Sequence, residues 1–202
     1  GSASIQLNAG MTYVPHGLCT RFGVLWTSSE ANGHQLNIAR TWPLDGPVIT
    51  TPISEDARIS TVDGRFIAFA APGLDDAPTP TVLDLAMRVP EAVPIHDVAV
   101  SEVRRGPGLT AYVTEGKLFL NTDAEDFAAF LDCSEPGTRQ WGVAVTQTRV
   151  AWFERADAGG PTRVVIADTG ACRNRVVFPA GGDVAPDTRI ETANARWLWI
   201  AT

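Results

Sequence analysis

Apolar residues in this chain come in short runs that alternate with polar ones or are rich in β-branched and aromatic side chains. Residues 12–14, 22–26, 35–39, 66–70, 81–85, 110–113, 117–120, 150–153, 164–167, 176–178 and 197–200 all have this character. A two-residue period over so short a run predicts strands with one or both faces buried. Turn-forming clusters separate them, among them 28–33, 72–76 and 156–161, which contain Asn32-Gly33, Pro72-Gly73 and Gly159-Gly160-Pro161. Such residues tolerate tight bends, so consecutive strands are expected to pair as antiparallel hairpins.

The strands repeat. Residues 56–69 align without gaps on 187–200, an offset of 131, with Asp56, Arg58, Ile59, Thr61 and Arg65 falling on Asp187, Arg189, Ile190, Thr192 and Arg196. The same strand opening recurs at Arg21-Phe22, Arg65-Phe66, Leu109-Thr110, Arg149-Val150 and Arg196-Trp197, spaced by 44, 44, 40 and 47 residues. A period of this length with three or four antiparallel strands fits β-propeller blades, whereas an immunoglobulin-type sandwich has no internal repeat. The expected fold is an all-β single domain over residues 3–202, a small propeller of about five four-stranded blades.

Two irregularities refine this picture. In the third repeat, Thr122 and Glu125 stand at capping-box spacing ahead of apolar residues at helical intervals, which predicts a short helix over 122–131 in place of an outer strand. The fifth repeat holds only two strands, while Ser4-Ile5-Gln6-Leu7-Asn8 is a strand without a partner in its own repeat. Pairing this segment with the last strand would close the ring and remove an open edge, giving a monomer. The alternative is an open half-propeller completed by dimerisation.

A resemblance follows from one repeat. The run 60–69, Ser-Thr-Val-Asp-Gly-Arg-Phe-Ile-Ala-Phe, followed by Val82-Leu83-Asp84-Leu85, resembles the repeat of TolB-type, WD-repeat-like bacterial propellers. Blades of that family carry a Ser-Pro-Asp-Gly turn before a strand ending Ile-Ala-Phe; Val62 stands here in place of the proline. The resemblance implies an exported bacterial domain, periplasmic or secreted, with a cytoplasmic location as the alternative. A single lysine, Lys117, among 16 basic residues also suits a GC-rich bacterial genome. Three cysteines show no Cys-x-x-Cys spacing, and their pairing is open from sequence: one disulfide with a free thiol, or three thiols. Export, as the resemblance implies, would leave Cys133 and Cys172 oxidised and Cys19 buried beside the first repeat strand.

Composition narrows the partners. With 45% hydrophobic and 19% charged residues the chain is globular, and no apolar run is long enough to span a bilayer. Gly1-Ser2 reads as the remnant of an expression tag. A formal charge of −7 disfavours a nucleic-acid partner, since affinity for a phosphate backbone is driven by cations.

Catalytic chemistry finds few footholds. There is no Gly-x-Ser-x-Gly elbow, and His16, His34 and His96 fall in separate repeats. Asn121-x-Asp123-x-Glu125 offers alternating oxygen ligands but lacks the glycine and closing glutamate of a calcium loop, and the capped helix accounts for the same residues. No cofactor or metal is expected.

The remaining candidates are charged and aromatic residues of the innermost strands, those that precede each repeat marker. Arg58, Asp97, Glu102, Arg189 and Glu191 are placed there, with His16 near the first. Acids converging on the axis would suit a glycosidase, which needs two carboxylates at a defined separation. The same charges also suit a solvated rim or pairing between blades. Trp26, Trp152, Trp197 and Trp199 read as packing between blades, whereas Trp42 and Trp141 fall outside those strands, where an indole can stack on a ligand or simply pack. The favoured function is a non-enzymatic module binding a protein or glycan at the mouth of the channel through Arg58, Arg189, Glu191, Asp97 and Trp141. A small propeller glycosidase is the alternative.

Overall fold

The computed structural model describes residues 18–31, 33–40, 47–55, 57, 59–61, 64–87, 90–123, 130–179, 182–192 and 198–201. Its strands form five antiparallel sheets among those residues. The first holds β1 (Leu18–Cys19), β2 (Gly23–Glu30), β3 (Gly33–Arg40) and β4 (Ile49–Ile53); the second holds β5 (Phe66–Pro72), β6 (Pro78–Asp84) and β7 (Ala92–Pro94). The third comprises β8 (Glu102–Gly106), β9 (Leu109–Thr114), β10 (Lys117–Thr122) and β11 (Phe130–Asp132). The fourth comprises β12 (Thr138–Val145), β13 (Arg149–Ala156), β14 (Arg163–Asp168) and β15 (Val176–Phe178), and the fifth β16 (Arg189–Thr192) with β17 (Leu198–Ala201). Ser60 bridges to Ala68 on the free side of β5, supplying the second sheet with a trace of its own first strand.

Every sheet is a meander in which sequence neighbours pair, as hairpin connections require. The apolar core is divided between sheets. Leu25, Leu36, Ile38 and Ile53 of the first sheet pack with Ile67, Phe69, Ala71 and Leu83 of the second. Ala68 and Val82 meet Val103 and Tyr112 of the third. Leu109, Val113, Leu118 and Leu120 meet Val143, Val150, Trp152 and Val165 of the fourth. A sheet that buries one face on the sheet before it and the other on the sheet after it is a propeller blade. The strands carry apolar residues on both faces for this reason: Ile67, Ala68 and Phe69 are all fully buried, on alternate sides of β5.

Three expectations need correction. The outer strand of the third blade is present as β11, so 130–131 are extended and not helical; 124–129 lie outside the described residues. Phe130 and Leu131 pair with Asn121 and Leu120, which outweighs the local capping pattern. Trp141, placed outside the repeat strands by its sequence context, sits within β12, the inner strand of the fourth blade. Cys19 is exposed, because β1 is a short edge strand with a single partner. The predicted strands at 4–8 and 12–14, and with them ring closure, lie outside the described residues. No helix among the described residues is long and apolar enough to cross a membrane.

Candidate functional site

The inner strands β8, β12 and β16 lie next to one another in blade order. Their side chains therefore decide what the axis of the propeller presents. Trp141 of β12 is 37% exposed and stacks on its cross-strand partner Phe153, with ring centroids 5.9 Å apart and planes 26° from parallel. A β-bulge follows at once, with the register shifting between Trp141 and Ala144. Gly142 adopts φ +64°, and a Cβ there would lie 2.5 Å from Phe153 Cδ2. Only glycine fits both the backbone and the stack.

The bulge aims two backbone N–H groups at the third blade. Gly142 and Val143 donate to the Glu102 carboxylate of β8, at 2.8 and 3.2 Å, and Arg104 Nη2 reaches its Oε1 at 2.7 Å. Glu102, an acid that a glycosidase would need free, is thus engaged in tying one blade to the next. Three donors hold this carboxylate in one orientation between the blades.

Arg105, the next arginine on β8, is buried. Its guanidinium forms a two-pronged pair with Asp123, donates to Thr110 Oγ1 at 3.1 Å and lies 4.6 Å above the Phe66 ring of the second blade. Its backbone N–H donates to Ser60 Oγ at 2.8 Å. Asp123, weighed as a calcium ligand, is therefore the counter-ion of a buried arginine. Among the described residues no group of three metal-ligating side chains converges.

A second polar cluster closes the seam between the third and fourth blades. Glu154 Oε2 accepts from Gln140 Nε2 (3.2 Å), Trp152 Nε1 (3.2 Å) and Arg175 Nη2 (2.7 Å). Gln140 also accepts from the Leu118 N–H at 2.8 Å and donates to the Cys133 carbonyl at 3.3 Å. Cys133 and Cys172 are joined beside it, with Cα atoms 5.4 Å apart, linking the segment after β11 to the one after β14. In the second blade Arg65 grips Asp84 in a fork, at 2.9 and 2.7 Å. Burial alone would raise the Asp84 carboxyl, yet the hydrogen bonds from Arg65 and the Ala86 N–H hold it below the usual carboxylate range.

The five residues proposed to contact a ligand are dispersed. Arg189 is exposed on β16, the inner strand next to that of Trp141, and Glu191 lies two residues further along the same strand. Asp97 does not belong to an inner strand: it is exposed on the segment between the outer strand β7 and β8. Its neighbour His96 leans instead on Phe130 and Tyr112, with centroids 5.5 and 6.3 Å away. Arg58 lies outside the described residues.

No protein-family model matches this chain, and no curated protein matches it in sequence. Solved structures do share its fold. A protein described as TolB from Agrobacterium tumefaciens superposes with a TM-score of 0.54 at 10% identity, covering 76% of this chain and 60% of that one. TolB from Acinetobacter baumannii gives 0.56 at 14%, covering 82% and 42%. Prolyl oligopeptidase B from Galerina marginata, in its apo form, gives 0.57 at 10%, covering 89% and 28%. The chain spans less than two thirds of each of these proteins. The class of fold is accordingly a β-propeller of TolB-like construction, and at such identities the likeness concerns the fold alone.

Proposed function

We propose that this chain is a non-enzymatic recognition module, exported to the periplasm or secreted, that binds a carboxylate-bearing protein segment or glycan on the inner strands at one mouth of the propeller. The observation that carries this reading is the exposed Trp141–Phe153 stack on β12, with Arg189 exposed on the adjacent inner strand. A flat indole backed by a second ring offers a stacking surface for a sugar or a planar side chain. An arginine exposed on the adjacent inner strand can match a carboxylate with paired donors. Engagement of Glu102 by the fourth blade favours binding over glycoside hydrolysis.

The test is a calorimetric titration with two probes, a glutamate-rich peptide and an oligogalacturonate. Binding of either one, with the probe recovered intact, supports the proposal and assigns the source of the carboxylate. Absence of binding to both, or cleavage of the oligosaccharide, overturns it. Arg58, aligned with Arg189 in the repeat, is expected to contribute in the same way, so Arg58→Ala should weaken the same titration.

A further inference from the structure

Two arginines of the fourth blade face each other without a counter-ion. Arg139 of β12 and Arg155 of β13 are in-register partners, and both are exposed. Such partners share a face of the sheet with Cβ atoms about 4.5 to 5.5 Å apart, and like charges placed so are destabilising. Other arginines are neutralised: Arg104 by Glu102, Arg105 by Asp123, Arg65 by Asp84 and Arg175 by Glu154. Among the described residues the side chains of Arg139 and Arg155 form no ion pair, hydrogen bond or ring contact.

The nearest acid in sequence is turned away from them. Glu154 and its partner Gln140 occupy the opposite face, where Glu154 already accepts from Gln140, Trp152 and Arg175. The third blade braces the pair from the edge of β12. Gln140 N–H donates to the Gly116 carbonyl at 2.7 Å, which pins the turn between β9 and β10 against that edge. Gly116 adopts φ +75°, and a Cβ there would lie 2.9 Å from Arg139 Cγ, so the glycine leaves room for the arginine stem. Two residues further along β12 and two back along β13, Trp141 and Phe153 form the next row of the same face. The cation pair and the aromatic stack are thus neighbouring rows of one surface.

A single carboxylate carries one charge and fits one guanidinium fork. Two forks side by side, their mutual repulsion unrelieved, are matched by two neighbouring carboxylates. An acidic ligand meets net repulsion from a chain of charge −7, so a local cation pair decides where it docks. We propose that Arg139 and Arg155 take two adjacent carboxylates of one ligand, an acidic segment whose neighbouring part lies on Trp141, and give the site its preference for densely charged segments. This inference rests on the reading of the face as a carboxylate-binding surface, and it adds to Arg189 a pair on the fourth blade itself.

Titration calorimetry tests it with the glutamate-rich peptide and the oligogalacturonate. Each is compared with a form whose remaining carboxylates are isolated from one another, the others replaced by glutamine or methyl ester. Arg139→Gln and Arg155→Gln should each weaken binding of the dense probe about tenfold. In each variant the gap between dense and isolated forms should narrow to about threefold or less, because the two changes remove the same contact. The melting temperature should stay or rise, since losing one cation relieves the cross-strand repulsion. Unchanged affinity in both variants, a gap as wide as before, or a loss of affinity with a lowered melting temperature overturns this inference and leaves carboxylate binding at Arg189 standing. Failure of both dense probes to bind the unaltered chain overturns the carboxylate reading, and this inference with it.

Discussion

The seam between the first and second blades and the seam between the third and fourth are held in different ways. The first is mainly aliphatic and aromatic, with Leu25, Leu36 and Ile38 against Ile67, Phe69 and Leu83, and a backbone bond from Ser54 N–H to the Ala70 carbonyl at 2.9 Å. The second adds to its apolar cluster a covalent bridge, the Glu154 hub and the Glu102 clamp on the Gly142 bulge. Apolar packing supplies free energy without direction, whereas a bidentate carboxylate on two adjacent N–H groups fixes how one strand slides against the next. Two blades of one repeat family thus achieve the same packing with different shares of stability and specificity.

The largest effects should come from breaking each seam at its main support. Phe69 is fully buried, so Phe69→Ala should cost about 3 to 5 kcal/mol and lower the melting temperature by about 6 to 20 °C. Removing the bridge by Cys133→Ser with Cys172→Ser frees a loop of sequence separation 39 and should cost about 3 to 4 kcal/mol, read by denaturant unfolding. Thiol titration of unreduced, denatured protein should find one group, Cys19; three would leave the second seam to its apolar cluster and its polar ties. Glu102→Gln keeps an acceptor but loses the ion pair with Arg104 and should cost about 1 kcal/mol. Its distinguishing readout is faster hydrogen exchange at Gly142 and Val143, with the first seam unchanged.

Acid should produce the smallest effect. Asp84 titrates lower in the folded chain than in the unfolded one, so its contribution is complete above the unfolded value, near 3.8, and disappears as pH falls through the folded value. Arg65→Ala should reduce this acid dependence, the Ala86 N–H remaining, and lower stability at neutral pH by the same small amount, because the guanidinium is half exposed. Urea unfolding of both proteins between pH 5 and pH 2 checks this.

Much of this comparison was readable in the sequence, and some was not, for physical reasons. The middle strands β2, β3, β5, β6, β9, β10, β13 and β14 bury both faces and announce themselves as apolar runs. Inner strands were harder to read because they carry Arg104, Arg139 and Arg189, and because Gly142 breaks the alternation of β12 at its bulge. Outer strands such as Phe130–Asp132 are too short to show a period. For the site, Glu102 was recognisable as an acid on an inner strand, but its acceptor role depends on a bulge in the following blade. Arg105 gave no signal at all, since its burial is created jointly by Asp123 and by Phe66 of the preceding blade. Local sequence reports strands well; contacts between blades join residues some forty positions apart.

The central proposal, that the inner strands recognise a carboxylate through Arg189 on the strand next to that of Trp141, is tested most directly by one measurement. The affinity of whichever probe binds is compared for the unaltered chain, Arg189→Lys and Arg189→Ala, alongside their melting temperatures. Loss of a charge-assisted, forked contact should weaken binding about tenfold or more in Arg189→Ala, with a partial loss in Arg189→Lys and melting unchanged, because Arg189 is exposed. Unchanged affinity together with a lowered melting temperature would make Arg189 a tie between blades and contradict the account.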